Sequence, residues 1–299
     1  MNLLRQTSWD ALAAFAEFAE LRNFTRAAAR LHLSQPALHT KIAKLSADLG
    51  RALYQRRGRV IEITEAGRKV QRFAHELAHS AAEFTAELQG GSHEAAVVLA
   101  AGEGAYLYLL GAGLRAFRAR HPHLLRLETA GASDAADAVS SARAHVGVGA
   151  LERIPRQLAV EPLTRVGQVL AIGARHALAS RRHVRLKDLR DLPLILPPDG
   201  RPHRLLVSQA MQSAGLDCTP VIEATGWELM LHFVQLGFGA AIVNACCRLP
   251  PGVTAVAMPE LPPVQYHLFH SRKPLSRHAE ALRDQLLASA DAWKANGAA

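Results

Sequence analysis

The sequence predicts an α+β chain of several domains: an all-α N-terminal unit carrying a small hairpin, a long linker helix, and a two-lobed α/β domain. Three observations predict it. Two short apolar helical stripes are joined by only a few residues around His32-Leu33-Ser34. A double heptad seam runs from Val70 to Leu88 and stops at Gln89-Gly90-Gly91-Ser92-His93, a flexible linker by composition. Beyond it, short apolar strands alternate with amphipathic helices, the pattern of doubly wound α/β lobes.

Composition sets the frame. The chain has 299 residues, of which 49% are hydrophobic and 20% charged, enough for two or three domains with real cores. Asp10 and Glu17 interrupt the N-terminus where a secretory signal needs an apolar run, and no uncharged stretch reaches membrane-spanning length, so a cytoplasmic location is expected. The net charge of +9 is concentrated: residues 22–72 hold twelve Lys or Arg against Asp48, Glu62 and Glu65. A basic unit on a nearly neutral body points to a polyanionic partner, with a solvated basic face as the alternative.

The first helix is expected over Ser8–Leu21, capped by Ser8 or Asp10, with Leu12, Phe15, Phe18 and Ala19 on one face. The second is expected to start after Thr25, whose hydroxyl would cap it; Ala27, Ala28 and Leu31 let a partner helix approach. Ser34 caps the third, and Pro36 suits its first turn because no N–H is needed there. Leu38, Ile42, Leu45 and Leu49 form a narrow inward stripe, and Gly50 ends the helix. Pro36, His39, Thr40, Ala43 and Lys44 face the other way, and Gln35 leans out at the N-terminus. A glutamine can read adenine bidentately, a Thr or Ala methyl can touch thymine, and a helix N-terminus favours phosphate. Then come a strand, the turn Arg56-Arg57-Gly58-Arg59 and a second strand, Val60–Ile63. This is a basic wing for phosphate or the minor groove, or else an ordinary hairpin with solvated arginines. The candidate DNA-contacting residues are Thr25, Ser34, Gln35, Pro36, His39, Thr40, Lys44, Arg56, Arg57 and Arg59.

Thr64 is placed to cap a helix running to about Leu88, roughly 35 Å long. Val70, Leu77 and Phe84 recur every seven residues, as do Ala74, Ala81 and Leu88. That seam suits pairing with a second copy; packing on its own domain is the alternative.

These residues resemble the LysR-type transcriptional regulators of bacteria. The likeness rests on Phe24-Thr25-x-Ala27-Ala28-x-x-Leu31-x-x-Ser34-Gln35-Pro36-Ala37-Leu38, then Ile42, Leu45, Leu49-Gly50, Leu53, Arg56 and Thr64-x-Ala66-Gly67. His39, Thr40, Ser46 and Tyr54 depart from the family pattern, so its operator sequence does not carry over. The resemblance implies a winged helix-turn-helix on double-stranded promoter or operator DNA. It also implies a homodimer assembling into a homotetramer, RNA polymerase as a partner of an activator, and no catalysis, cofactor or metal. It implies further that the C-terminal part is an effector-binding domain like a periplasmic solute-binding protein. The expected division is 1–64, 65–91 and 92–299, with lobe I at about 92–163 and 266–299 and lobe II at about 164–265.

In that C-terminal part, strands are expected at Ala95–Ala101, Leu124–Thr129, His145–Leu151, Val169–Ala174, Pro193–Pro198, Pro220–Ala224, Ala240–Asn244 and Val264–His270. Helices are expected at Ala105–Arg120, Ser133–Arg143, His203–Ala214, Trp227–Leu236 and Arg277–Trp293. Ligands of such sheets collect at strand C-termini, in the crevice between lobes. The candidate effector residues there are Glu103, Gly104, Tyr106, Ser133, Arg201, His203, Thr225, Trp227 and Asn244. Arg201 and His203 suit a carboxylate and Glu103 an amine, so a small carboxylate or amino-acid-like effector is expected.

An enzyme finds no G-x-S-x-G, Walker loop or H-E-x-x-H. The His121-Pro-His123 spacing reads as a surface turn before a metal site. Redox sensing through the adjacent Cys246 and Cys247 is the alternative function, against the plain reading of buried cysteines near a strand end.

Overall fold

The computed structural model describes residues 8–58, 60–88, 96–151 and 153–295, without the side chains of 83, 86–88 and 291–295. Arg59, the linker 89–93 and the Leu88 side chain therefore lie outside the described residues.

Helices α1 (Trp9–Leu21), α2 (Phe24–Arg30) and α3 (Gln35–Asp48) enclose a core of Phe15, Phe18, Phe24, Leu38, Ile42 and Leu45. Ser34 caps α3, accepting from the Ala37 N–H at 3.3 Å. The cap of α2 is not Thr25. Asn23 takes that role, accepting from the Arg26 N–H at 3.0 Å, and the helix begins one residue before Thr25. An Asx side chain in extended backbone is the stronger cap, so the helix starts as early as it can. Ser8 stands at the N-cap of α1 without a side-chain bond.

Strands β1 (Tyr54–Arg57) and β2 (Val60–Ile63) pair antiparallel around Gly58, whose φ is 61°. Helix α4 (Glu65–Leu88) follows, with Thr64 Oγ1 accepting from the Gly67 N–H at 3.0 Å. Gly67 is required by contact: a Cβ there would meet the Leu53 carbonyl oxygen at 2.0 Å.

Two five-stranded sheets make the rest. The first has the order β4-β3-β5-β12-β6, built from β3 (Val97–Ala101), β4 (Leu125–Thr129), β5 (Val146–Gly149), β6 (Leu158–Val166) and β12 (Val264–Ser271). The second has the order β11-β7-β10-β8-β9, from β7 (Gln168–Gly173), β8 (Leu194–Leu196), β9 (Ile222–Glu223), β10 (Ala240–Asn244) and β11 (Val253–Ala257). The chain crosses between sheets at Gly167 and returns after β11, so β12 completes the first sheet. Helices α5 (Gly111–Arg120), α6 (Ala132–Ser140) and α9 (Arg277–Ala295) cover the first sheet, and α7 (Pro202–Ser213) and α8 (Trp227–Gln235) the second.

Two strands escape the sequence patterns. β6 reads Leu-Ala-Val-Glu-Pro-Leu-Thr-Arg-Val, and Pro162 with its charged neighbours hides the alternation. It lies at the sheet edge, where a missing N–H is tolerated, opposite a register shift between Tyr266 and His267. β11 is the opposite case, a short edge strand of small residues. The expected continuous helix Ala105–Arg120 is two pieces, a π-helical turn over Ala105–Leu109 and then α5.

Helix α4 also docks on the first lobe. His75 Nδ1 lies 2.8 Å from the Ser141 carbonyl oxygen, and the His79 and His145 rings are 4.6 Å apart. Lys273 pairs with Glu76 at 2.7 Å, and Arg143 reaches Glu128 at 2.8 Å and Glu20 of α1 at 3.5 Å.

Candidate DNA interface and interlobe crevice

The exposed side of α3 carries Gln35, Pro36, Thr40 and Lys44, while Leu38, Ile42 and Leu45 on its inner side are buried. Gln35 is oriented by its neighbour helix, since its Oε1 accepts from Thr25 Oγ1 at 3.2 Å. The amide NH2 of Gln35 is thereby left pointing to solvent as a donor. Thr25 thus orients Gln35 instead of capping α2. Ser34 spends an oxygen lone pair on its cap.

His39 is exposed but engaged. Its ring stacks on Phe24 at 4.8 Å and its Nε2 lies 3.4 Å from the Tyr54 hydroxyl. It ties the recognition helix to the wing, so its ring is less free for a base edge than its helical position suggests. On the wing, Arg56 is exposed and Arg57 pairs with Glu62 at 3.2 Å. Lys41, on the same helix, is held by Asp10.

The seam of α4 divides. Ala74 is buried, and Val70 and Leu77 pack partly buried on the core around α1. Those three therefore serve packing within the chain. Ala81 is exposed, Phe84 is 60% exposed and Phe73, outside the seam, 51% exposed.

The crevice is built from both lobes. Gln168 opens β7 beside Asn244, the last residue of β10. Gln168 Nε2 donates to the Pro262 carbonyl at 3.0 Å, which leaves its Oε1 to accept from His203 Nε2 at 2.8 Å. His203 is therefore the Nε2–H tautomer, and its buried Nδ1 is an acceptor with no partner among the described residues. Burial holds its pKa down to about 4. Burial thus favours the neutral ring, because desolvation penalises the charge, which counts against the expectation that His203 pairs as a cation with a carboxylate. Its ring meets Trp227 edge-on at 4.6 Å.

Trp227 crosses to the other lobe. A Cβ on Gly104 would lie 2.9 Å from the Trp227 Nε1. Glu103 lies beside Gly226, within 3.3 Å of where a Cβ would stand there. Asn244 Nδ2 donates to the Tyr266 hydroxyl at 3.0 Å, and its buried Oδ1 has no partner among the described residues. Burial pushes the Tyr266 hydroxyl up, so it stays a neutral phenol.

Tyr106 turns away from this crevice. Its hydroxyl lies 2.7 Å from the Leu99 carbonyl and 3.0 Å from that of Glu128, bridging β3 and β4, and burial raises its pKa to about 12. It serves the first lobe, because the π-helical turn rotates it inward. Ser133 and Thr225 are exposed, and Arg201 is exposed at the N-cap of α7 with no side-chain cap bond. The buried cation of that helix is Arg204, which pairs with Asp199 at 3.3 Å and donates to the Cys218 carbonyl at 3.0 Å. Sequence reasoning missed Gln168 and Tyr266. Gln168 is the polar first residue of an otherwise apolar strand, which was the available signal, whereas Tyr266 lies among the polar residues of β12 and carried none.

Cys246 and Cys247 are free thiols, and Cys247 is buried in the second lobe's core. Its hydrogen bond with Cys246, then burial, push its thiol up.

A DNA-reading helix and wing joined by a helix to a two-lobed binding domain define a ligand-responsive DNA-binding regulator. Residues 90–291 match the LysR substrate binding domain, and residues 9–68 match the bacterial regulatory helix-turn-helix protein, lysR family. The chain belongs to the LysR family of transcriptional regulators. It is 30% identical over 239 residues to the HTH-type transcriptional regulator IlvY of Escherichia coli, across 78% of this chain and 80% of that one. It is 28% identical over 265 residues to the HTH-type transcriptional regulator BudR of Raoultella terrigena, across 84% and 87%. Among solved structures, a full-length OxyR variant from Pseudomonas aeruginosa superimposes with a TM-score of 0.66 at 19% identity, over 95% of this chain and 94% of that one. Full-length CbnR complexed with its target DNA gives 0.60 at 21% identity, over 95% and 100%. At these identities the likeness is one of fold. Among the described residues, no helix is long and apolar enough to cross a membrane.

Proposed function

We propose that this regulator responds to a small amino-acid-like metabolite held between its lobes. The observation that carries the reading is the acceptor character of the crevice. His203 Nδ1 and Asn244 Oδ1 are buried acceptors without partners among the described residues, and Glu103 stands beside Gly226, the residue before Trp227. Buried acceptors are costly unless a donor meets them, and an ammonium or hydroxyl is such a donor. Arg201 remains the cation for a carboxylate at the rim. A neutral His203 removes the second cation, which favours a zwitterion over a simple organic acid.

The chain works in three parts, 1–64 for DNA, 65–91 for assembly and 92–299 for the effector. It acts in the cytoplasm as a homodimer that pairs into a tetramer, and contacts RNA polymerase where it activates. Effector binding favours one arrangement of the lobes and so shifts the spacing of the DNA contacts. The experiment is a thermal-shift screen of amino acids and organic acids on the full chain. An amino acid at 100 times its Kd should stabilise by about 2.7 kcal/mol. His203→Phe should abolish the response with operator binding retained. Hits confined to uncharged compounds, or an equal response in His203→Phe, would sink the proposal.

A further inference from the structure

A second pocket lies on the outer surface of the second lobe, and none of its lining residues belongs to the crevice. It measures about 520 Å³ and is lined by Arg181, Arg182, His183, Arg185, Lys187 and Asp188.

The segment holding these side chains is fixed. Val184, Leu186 and Leu189 are buried in the lobe's core while Arg182, Arg185 and Lys187 between them are exposed. The Val184 N–H donates to the Ala257 carbonyl at 2.9 Å, and His183 bridges to the same residue, so the segment is pinned along the edge strand β11. The cations are thus presented from a rigid frame.

Two nearby carboxylates each accept from backbone, and one of them also pairs with the side chain of Arg181. Asp188 Oδ2 accepts from the Arg185 N–H at 2.9 Å, and its Oδ1 from Arg181 at 3.0 Å. Glu260 Oε2 accepts from the Leu186 N–H at 2.8 Å. Among the described residues, no carboxylate pairs with Arg182, Arg185 or Lys187. The local acids hold the shape of the segment. Asp188 also pairs with Arg181 and attracts Lys187, and among the described residues Arg182 and Arg185 are left without a carboxylate partner.

We infer that this pocket binds a small polyanion carrying two adjacent phosphates, of the pyrophosphate or nucleoside-diphosphate kind. Arg182 and Arg185, with Lys187 beside them, supply positive charge for a diphosphate, and guanidinium groups match the geometry of its oxygens. A metabolite bound here would reach the regulator by a route independent of the crevice.

The test is isothermal titration of the full chain with sodium pyrophosphate, and separately with orthophosphate, at constant ionic strength. The comparison is with Arg182→Gln/Arg185→Gln, whose side chains are exposed and whose melting curve without ligand should match wild type. Lys187→Gln alone is the second variant should the double one misfold. Wild type should bind pyrophosphate at one site, more tightly than orthophosphate, and the double variant should lose at least tenfold in affinity. Equal pyrophosphate binding in wild type and variants overturns the inference. So does binding of orthophosphate by wild type as tight as that of pyrophosphate. A third arm titrates non-specific duplex DNA. If the substitutions flatten its salt dependence while pyrophosphate fails to bind wild type, the surface is a nucleic-acid contact and the diphosphate site is wrong.

Discussion

The Trp227 indole nitrogen lies 2.9 Å from the point that a side chain on Gly104 would have to occupy. One residue belongs to the first lobe and the other to the second, so this contact sets how closely the lobes approach. The indole fills the space beside Gly104.

Gly104→Ala should therefore push the lobes apart or displace the indole, costing about 1–3 kcal/mol by overpacking. Trp227→Ala should relieve the clash, so the double variant should be more stable than the sum of the single losses predicts. Thermal denaturation of the four proteins measures this. Strictly additive losses would mean that the two residues do not meet across the crevice.

Gln35→Ala should cost about 1–3 kcal/mol on the specific operator and relax preference at one base pair. Thr25→Val should show part of the same loss, because the Thr25 hydroxyl orients the Gln35 amide. Arg56→Ala should weaken all sequences alike and lower the salt slope. Binding isotherms on specific and scrambled duplexes distinguish these. An unchanged specificity ratio in Gln35→Ala would refute base reading by this residue.

Leu77→Glu and Phe84→Glu should separate packing from assembly. Leu77 lies against the core around α1, so a charge there should cost several kcal/mol of domain stability. Phe84 is 60% exposed, so Phe84→Glu should keep the melting temperature of the unpaired chain and lower the oligomer mass in light scattering. An intact oligomer in Phe84→Glu would exclude this face of α4 from the interface.

Docking of α4 on the first lobe should weaken in acid. Burial, then His79, hold the His145 pKa down to about 4, and burial lowers that of His75. A free histidine titrates near 6.5, so between about 4 and 6.5 the undocked form binds more protons. The docked form is then favoured above that window and weakens as pH falls through it, by at most about 1.4 kcal/mol per pH unit for the part of His145's burial that α4 supplies, and His75 adds in the same direction. Glu17, Glu20 and Arg143 face His75, and the two acids partly oppose the loss. Hydrogen exchange in α4 should rise between pH 6.5 and 5 in wild type and respond less in His145→Gln. Protection that is flat with pH in both proteins would contradict this.

What the sequence by itself determined is local. The stripe Leu38, Ile42 and Leu45, the Ser34 cap, the Gly58 turn and the wing all follow from helical periodicity and backbone chemistry within a few residues, and the structure has them as read. The strand–helix alternation announced two lobes for the same reason. The tertiary structure decided which partner each group meets. An apolar face on α4 requires a cover, but only packing assigned Val70, Ala74 and Leu77 to α1. Tyr106 was placed in the crevice by its position in the chain and removed from it by a π-helical turn that the residues do not spell out. His203 owes its neutral form to burial and to Gln168, 35 residues away in sequence, and Asn244 meets Tyr266 across the crossing between sheets. Periodicity and capping act over one or two turns of chain, whereas protonation and contacts across a crevice depend on solvent exclusion by residues far apart in sequence.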